Sequence, residues 1–99
     1  MPNAAWKDAE RQVAKRLGGR RNPFSVQGGV DVLHPLWAVE VKLTARPPAY
    51  LLHGLQEAER HAVGFGQVPL LVVHPKGSPH DLDVVCVRLK DWQDLHGSI

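Results

Sequence analysis

Gly28-Gly29-Val30-Asp31-Val32-Leu33-His34-Pro35-Leu36-Trp37-Ala38-Val39-Glu40-Val41-Lys42-Leu43 is the stretch on which the fold turns. Apolar and polar residues alternate from Leu36 to Leu43, which predicts a strand with Trp37, Val39, Val41 and Leu43 on one face. Ala38, Glu40 and Lys42 then share the other face. The Gly28-Gly29 break bounds a shorter strand at Val30–Leu33, and His34-Pro35 reads as the turn between the two. A hairpin centred on that turn puts Asp31 opposite Ala38 and diagonal to Glu40. Cross-strand partners point to the same side, so Asp31, Glu40 and Lys42 are expected to converge on one face.

Upstream of this stretch, Asn3 is a good helix N-cap, and Trp6, Ala9, Val13 and Leu17 recur at helical spacing until Gly18-Gly19. At 100° per residue the four lie within about 80°. Glu10 falls at the inner edge of that stripe, where a lone carboxylate is costly unless something pairs with it. Phe24–Val26 reads as a further short strand. Downstream, Pro47-Pro48 introduces a second helix whose apolar stripe is Leu51, Leu52, Leu55, Ala58 and Ala62, with Glu57 and Arg60 toward water. Pro69 to His74 is apolar without alternation, which predicts a central strand covered on both faces and reached by a right-handed parallel crossover. A strand over Val84–Arg88 and a helix over Leu89–Leu95 that buries Trp92 and Leu95 complete the chain. The expected architecture is a single α/β domain over residues 1–99, a mixed central sheet flanked by helices in the order α-β-β-β-α-β-β-α.

A length of 99 residues suits one domain, and the 43% hydrophobic fraction is ordinary for a globular chain. The lone cysteine, Cys86, has no intramolecular disulfide partner, and no apolar run is long enough for a membrane span. A polar, basic beginning without an apolar signal core leads to the expectation of a cytoplasmic protein. The net charge of +2 hides an asymmetry: residues 1–25 carry six Lys/Arg against two acids, and residues 26–99 carry six against eight. A basic front is the electrostatic footprint of a phosphate-binding surface, although it also serves solubility. Lys7, Arg11, Lys15, Arg20 and Arg21 are the candidates, with Arg16 extending the track. No Gly-rich phosphate loop and no dinucleotide fingerprint occurs, so no nucleotide cofactor is expected. The histidines at 34, 53, 61, 74, 80 and 96 are scattered without cysteine partners, which argues against a structural zinc site.

Glu10, Asp31 and Glu40 all point inward on this reading. Converging carboxylates repel one another, and a hard divalent cation relieves that repulsion. Asp31, Glu40 and the Val41 carbonyl could supply Mg²⁺ ligands, with Lys42 placed to stabilise charge or accept a proton.

The spacing Asp31, eight residues, Glu40-Val41-Lys42, preceded by a helix carrying Glu10, resembles the PD-(D/E)xK nuclease superfamily. Within it the chain looks most like the small Holliday junction resolvases of archaea and phages, although Val30 stands where the motif's name has Pro. The likeness implies a restriction-endonuclease-like fold and a catalytic set of Glu10, Asp31, Glu40 and Lys42, in which Asp31 and Glu40 hold the principal metal and Glu10 supports a metal-bound water or a second metal. It also implies Mg²⁺ or Mn²⁺ as cofactor, branched DNA as substrate and a homodimer as the working form. Ser25 resembles a loop serine near the scissile phosphate, and a turn-stabilising hydroxyl is the other reading. Two further functions fit the same residues: a nuclease acting on duplex, flap or single-stranded DNA, and a non-catalytic nucleic-acid-binding module.

Overall fold

The computed structural model describes residues 4–96. The described residues mix helix and strand, with three α-helices and two small antiparallel sheets. It divides into two compact units, one running to Ala45 and joined by Leu95 and His96, the other Arg46–Asp94.

In the first unit, helix α1 spans Ala4–Leu17. Its buried line is Glu10, Ala14 and Leu17, spaced i, i+4, i+7. Trp6, Ala9 and Val13 are only half-buried, so the inner face is rotated toward Glu10 from the stripe the apolar residues predict. Glu10 therefore opens the buried line and, around the helix axis, lies between Leu17 and Ala14. Strand β1, Arg20–Arg21, pairs antiparallel with β2, Val32–Leu33, with Arg20 opposite Leu33 and Arg21 opposite Val32. Gly19 permits the close approach of helix end and sheet, since a Cβ there would sit 2.5 Å from the Leu33 carbonyl oxygen and 3.0 Å from Val32 Cγ1. Val32, fully buried, is the centre of this small core.

Two expected strands take other forms. Phe24–Val26 is not extended: Asn22 Oδ1 accepts the Phe24 N–H at 3.0 Å, and Ser25–Gln27 closes a 3₁₀ turn. Local hydrogen bonding by the Asn side chain outweighs β-propensity there. Leu36–Leu43 contributes only one bridge, Val39 to Val32. Its partner strand is two residues long, so there is little ladder to extend. The bridge also moves the register by two residues, and Asp31 falls opposite Glu40 instead of Ala38.

In the second unit, α2 spans Ala49–Ala62 with Leu55 buried and Glu57 and Arg60 exposed. Strand β3, Leu71–Val73, pairs antiparallel with β4, Val84–Cys86, in the register Leu71–Cys86, Val72–Val85 and Val73–Val84. Gly54 lets α2 approach β3, where Leu71 methyls lie 2.8 and 2.9 Å from the position a Cβ would take. The apolar run at Pro69 to His74 is thus not a central strand. No parallel pairing or crossover occurs among the described residues, and Leu70 and Val72 are each 50% exposed. Helix α3, Leu89–His96, holds Trp92 half-buried, but Leu95 is exposed. Arg88 reaches Glu59 at 3.2 Å, tying the segment before α3 to α2. No described helix is long and apolar enough to cross a membrane.

Candidate functional site

A surface cavity of about 530 Å³ opens in the first unit. Its walls include Glu10 from α1, Ser25 from the 3₁₀ turn, Asp31 just before β2, and Glu40, Val41 and Lys42 from the chain beyond. All four residues of the expected catalytic set therefore line one cavity, together with Trp6, Val26, Gly28, Gly29 and Leu43. The consecutive positions 40 to 43 all contribute, because this segment runs past the cavity as irregular chain and not as a regular strand.

Backbone hydrogen bonds fix the loop carrying Asp31. The Asn22 N–H donates to the Asp31 carbonyl at 2.9 Å, continuing the β1–β2 pairing, and Asn22 Nδ2 donates to the Val30 carbonyl at 2.9 Å. The Asp31 N–H donates to the Val39 carbonyl at 3.0 Å. On the side-chain level, the Val41 N–H donates to Asp31 Oδ2 at 2.7 Å. That bond joins the two halves of the motif directly, aspartate to the Glu-Val-Lys segment, and leaves Oδ1 for another partner. Glu40 and Lys42 are exposed, with no hydrogen bond or ion pair to other described residues.

Glu10 is 2% exposed, and Arg21 Nε donates to its Oε1 at 3.1 Å. The strand alternation explains the pairing: Arg20 faces solvent, and Arg21 turns inward beside α1. The Arg21 guanidinium also lies 5.5 Å from the Trp6 ring centroid, and Lys7 Nζ lies 5.7 Å from the same ring. Of the expected phosphate-contacting residues, Arg11, Lys15 and Arg20 are exposed, Lys7 is half-buried on Trp6, and Arg21 is engaged by Glu10. The Ser25 hydroxyl oxygen is buried with no hydrogen-bond partner among the described residues.

No family model, curated protein or solved structure matches the chain. What the site can do is accordingly argued from its own chemistry. Its free donors are carboxylate oxygens, hard ligands that suit Mg²⁺ or Mn²⁺ and offer nothing to a soft ion. Asp31, with its uncommitted Oδ1, and Glu40, with a partnerless carboxylate, line the same space, and this pair fits a hydrated divalent cation. Sequence reasoning missed Arg21 as the partner of Glu10 and Asn22 as the residue that shapes the loop. The signal for the first is the inward Glu itself, which requires a cation nearby; the signal for the second is an Asn directly ahead of Pro23.

Proposed function

We propose that the chain is a metal-dependent endonuclease that hydrolyses DNA phosphodiester bonds, with the four-way Holliday junction as preferred substrate. The observation that carries this reading is the convergence of Glu10, Asp31, Glu40 and Lys42 on one cavity, with Asp31 bonded to the Val41 N–H between the other two motif residues. The fold proposed is a reduced restriction-endonuclease-like domain, in which a helix bearing Glu10 precedes the Asp31 loop and the Glu-x-Lys segment.

Asp31 and Glu40, with the Val41 carbonyl, would hold Mg²⁺ or Mn²⁺, which when bound offsets charge developing at phosphorus. Lys42, an exposed ammonium beside them, attracts a phosphate oxygen or the attacking water. Glu10, held by Arg21, adds a third carboxyl group to the cavity lining. Exposed Arg11, Lys15 and Arg20 supply sequence-independent contacts to the DNA backbone. The proposed working form is a homodimer in the cytoplasm, because paired cuts on opposed strands need two sites.

The deciding experiment incubates the protein with end-labelled four-way junction, linear duplex, flap and single strand, with Mg²⁺, Mn²⁺ or EDTA. Symmetric paired nicks in the junction, abolished by EDTA, are expected. Cutting of the other substrates instead would retain the site and discard the junction. Tight binding without cleavage under any metal would leave only a binding module.

Ser25→Ala gives a second expected outcome. Removing a buried hydroxyl that has no partner relieves an uncompensated desolvation cost, so stability rises by up to about 1 kcal/mol. If that hydroxyl serves the substrate, cleavage falls on the order of tenfold in the same variant. Urea midpoints measured beside single-turnover rates check both; a turn-stabilising role would instead lower the midpoint.

A further inference from the structure

The β3–β4 hairpin carries a second constellation, far in sequence from the carboxylate cavity. His74 follows β3, a turn at Pro75–Ser78 closes with Ser78 N–H donating to the Pro75 carbonyl at 3.1 Å, and a 3₁₀ turn over His80–Leu82 delivers Asp83 just before β4. His74 Nδ1 lies 2.5 Å from Asp83 Oδ1, and His80 Nδ1 lies 3.0 Å from Asp83 Oδ2. The imidazole rings stack with centroids 4.3 Å apart and planes 29° from parallel.

We propose that His74, His80 and Asp83 form a binding site for a divalent transition-metal ion, with Zn²⁺ as its natural probe. The donor types decide the ion. Two imidazoles and a carboxylate suit Zn²⁺, whereas Mg²⁺ prefers oxygen alone. The geometry is close to what such an ion needs: one ligand atom from each residue can be chosen so that all lie within 4.8 Å of one another. A tetrahedral site with bonds of about 2.0 to 2.2 Å separates its ligand atoms by roughly 3.3 Å. The two short N···O contacts must therefore open by several tenths of an ångström.

The residues that have to move are free to do so. The His80 side chain is 83% exposed and that of His74 is 39%, while Asp83, at 15%, provides the fixed point. In the tautomer that suits a carboxylate acceptor each Nδ1 is the donor; a metal ion binding at Nδ1 shifts that proton to Nε2 of the same ring, and ring rotation brings in Nε2 as the alternative ligand atom. Three protein ligands leave a fourth tetrahedral position open to water. Bound there, the ion would cross-link the two strands through the loop that joins them and stabilise the hairpin by mass action.

Calorimetric titration of metal-stripped, full-length protein with Zn²⁺ tests the proposal, with Co²⁺ absorption reporting the coordination geometry. One ion per chain is expected, with affinity weakened at least about tenfold by His80→Ala and by Asp83→Asn. Neither change is expected to alter the far-UV circular dichroism, since His80 is exposed and Asn is isosteric with Asp. Asp31→Asn should leave the affinity for Zn²⁺ unchanged, which separates this site from the carboxylate cavity. Imidazole ¹⁵N shifts of His74 and His80 should move on addition of Zn²⁺. Absence of binding, or binding that His80→Ala and Asp83→Asn both leave intact, would overturn the proposal and make the triad a hydrogen-bonded clamp only.

Discussion

Asp31→Asn is expected to lower metal-dependent DNA cleavage by about 10³-fold while leaving the fold and DNA binding in place. The magnitude follows from the role proposed for Asp31. Losing a charged ligand removes both metal affinity and the electrostatic stabilisation the metal provides, and single electrostatic contributors at active sites are worth on the order of 10² to 10³ in rate. Persistence of the fold follows from the geometry. The side-chain contact of Asp31 is acceptance of the Val41 N–H at Oδ2, which an Asn carbonyl oxygen can also accept, and its backbone hydrogen bonds to Asn22 and Val39 are untouched by the change. Removing one negative charge from a surface that meets phosphates should, if anything, tighten binding at low salt. Lys42→Ala makes a companion variant: its ammonium has no partner to lose among the described residues, so any fall in rate reflects the reaction and not the fold. Single-turnover cleavage at saturating protein, with binding followed separately by fluorescence anisotropy, checks both variants. Wild-type rates in Asp31→Asn would remove the carboxylate cavity from the mechanism altogether.

The cavity was legible in the sequence because it rests on short-range patterning. A helix with a glutamate at the edge of its apolar stripe, and a run carrying Asp31 and Glu40-Val41-Lys42 punctuated by Gly-Gly and His-Pro, supply the four residues that line one cavity. The extent of the sheets was not legible, because pairing is a long-range property and depends on partners. Leu36–Leu43 alternates well, but its neighbour Val32–Leu33 is only two residues long and already pairs with Arg20–Arg21, so the alternation yields one bridge. The His34 ring contributes too, since its Nδ1 accepts the Leu36 N–H at 3.0 Å and holds the turn in a form that alternation does not predict. At Pro69 to His74 an unbroken apolar run predicts burial on both faces. The residues pack on α2 through Leu71 and leave Leu70 and Val72 half in solvent, so the run reflects β-propensity more than enclosure. Val72 and its cross-strand partner Val85, 58% exposed, continue this open apolar face. The histidines looked scattered for a related reason: only a hairpin closing between positions 74 and 83 brings two of them onto one aspartate.

Arg21→Ala is expected to destabilise the protein by about 2 to 4 kcal/mol, a large share of the roughly 5 to 15 kcal/mol available to a chain of this size. Glu10 has a side chain only 3% exposed, so losing the guanidinium leaves a carboxylate in the core with no opposite charge beside it. The figure sits slightly below the usual 3 to 5 kcal/mol for breaking a buried pair, because Arg21 is itself 16% exposed and its removal admits some water. Glu10→Gln should cost less, on the order of 1 kcal/mol, since the Arg21 left behind keeps partial solvent access and its contact with Trp6. The double variant Glu10→Gln, Arg21→Ala should accordingly be more stable than Arg21→Ala alone, a reversal that arises only if the penalty is the stranded charge. Arg21 was expected from the sequence to contact DNA, and that role makes the opposite forecast. A residue reserved for phosphates would leave the urea midpoint unchanged on truncation, reduce DNA affinity uniformly across sequences and shallow the salt dependence by about one charge. Urea unfolding of the three variants, set beside their DNA-binding salt slopes, separates the two. If the midpoint falls and the slope holds, Arg21 acts from within the fold, by holding Glu10 in place where the proposed chemistry needs it.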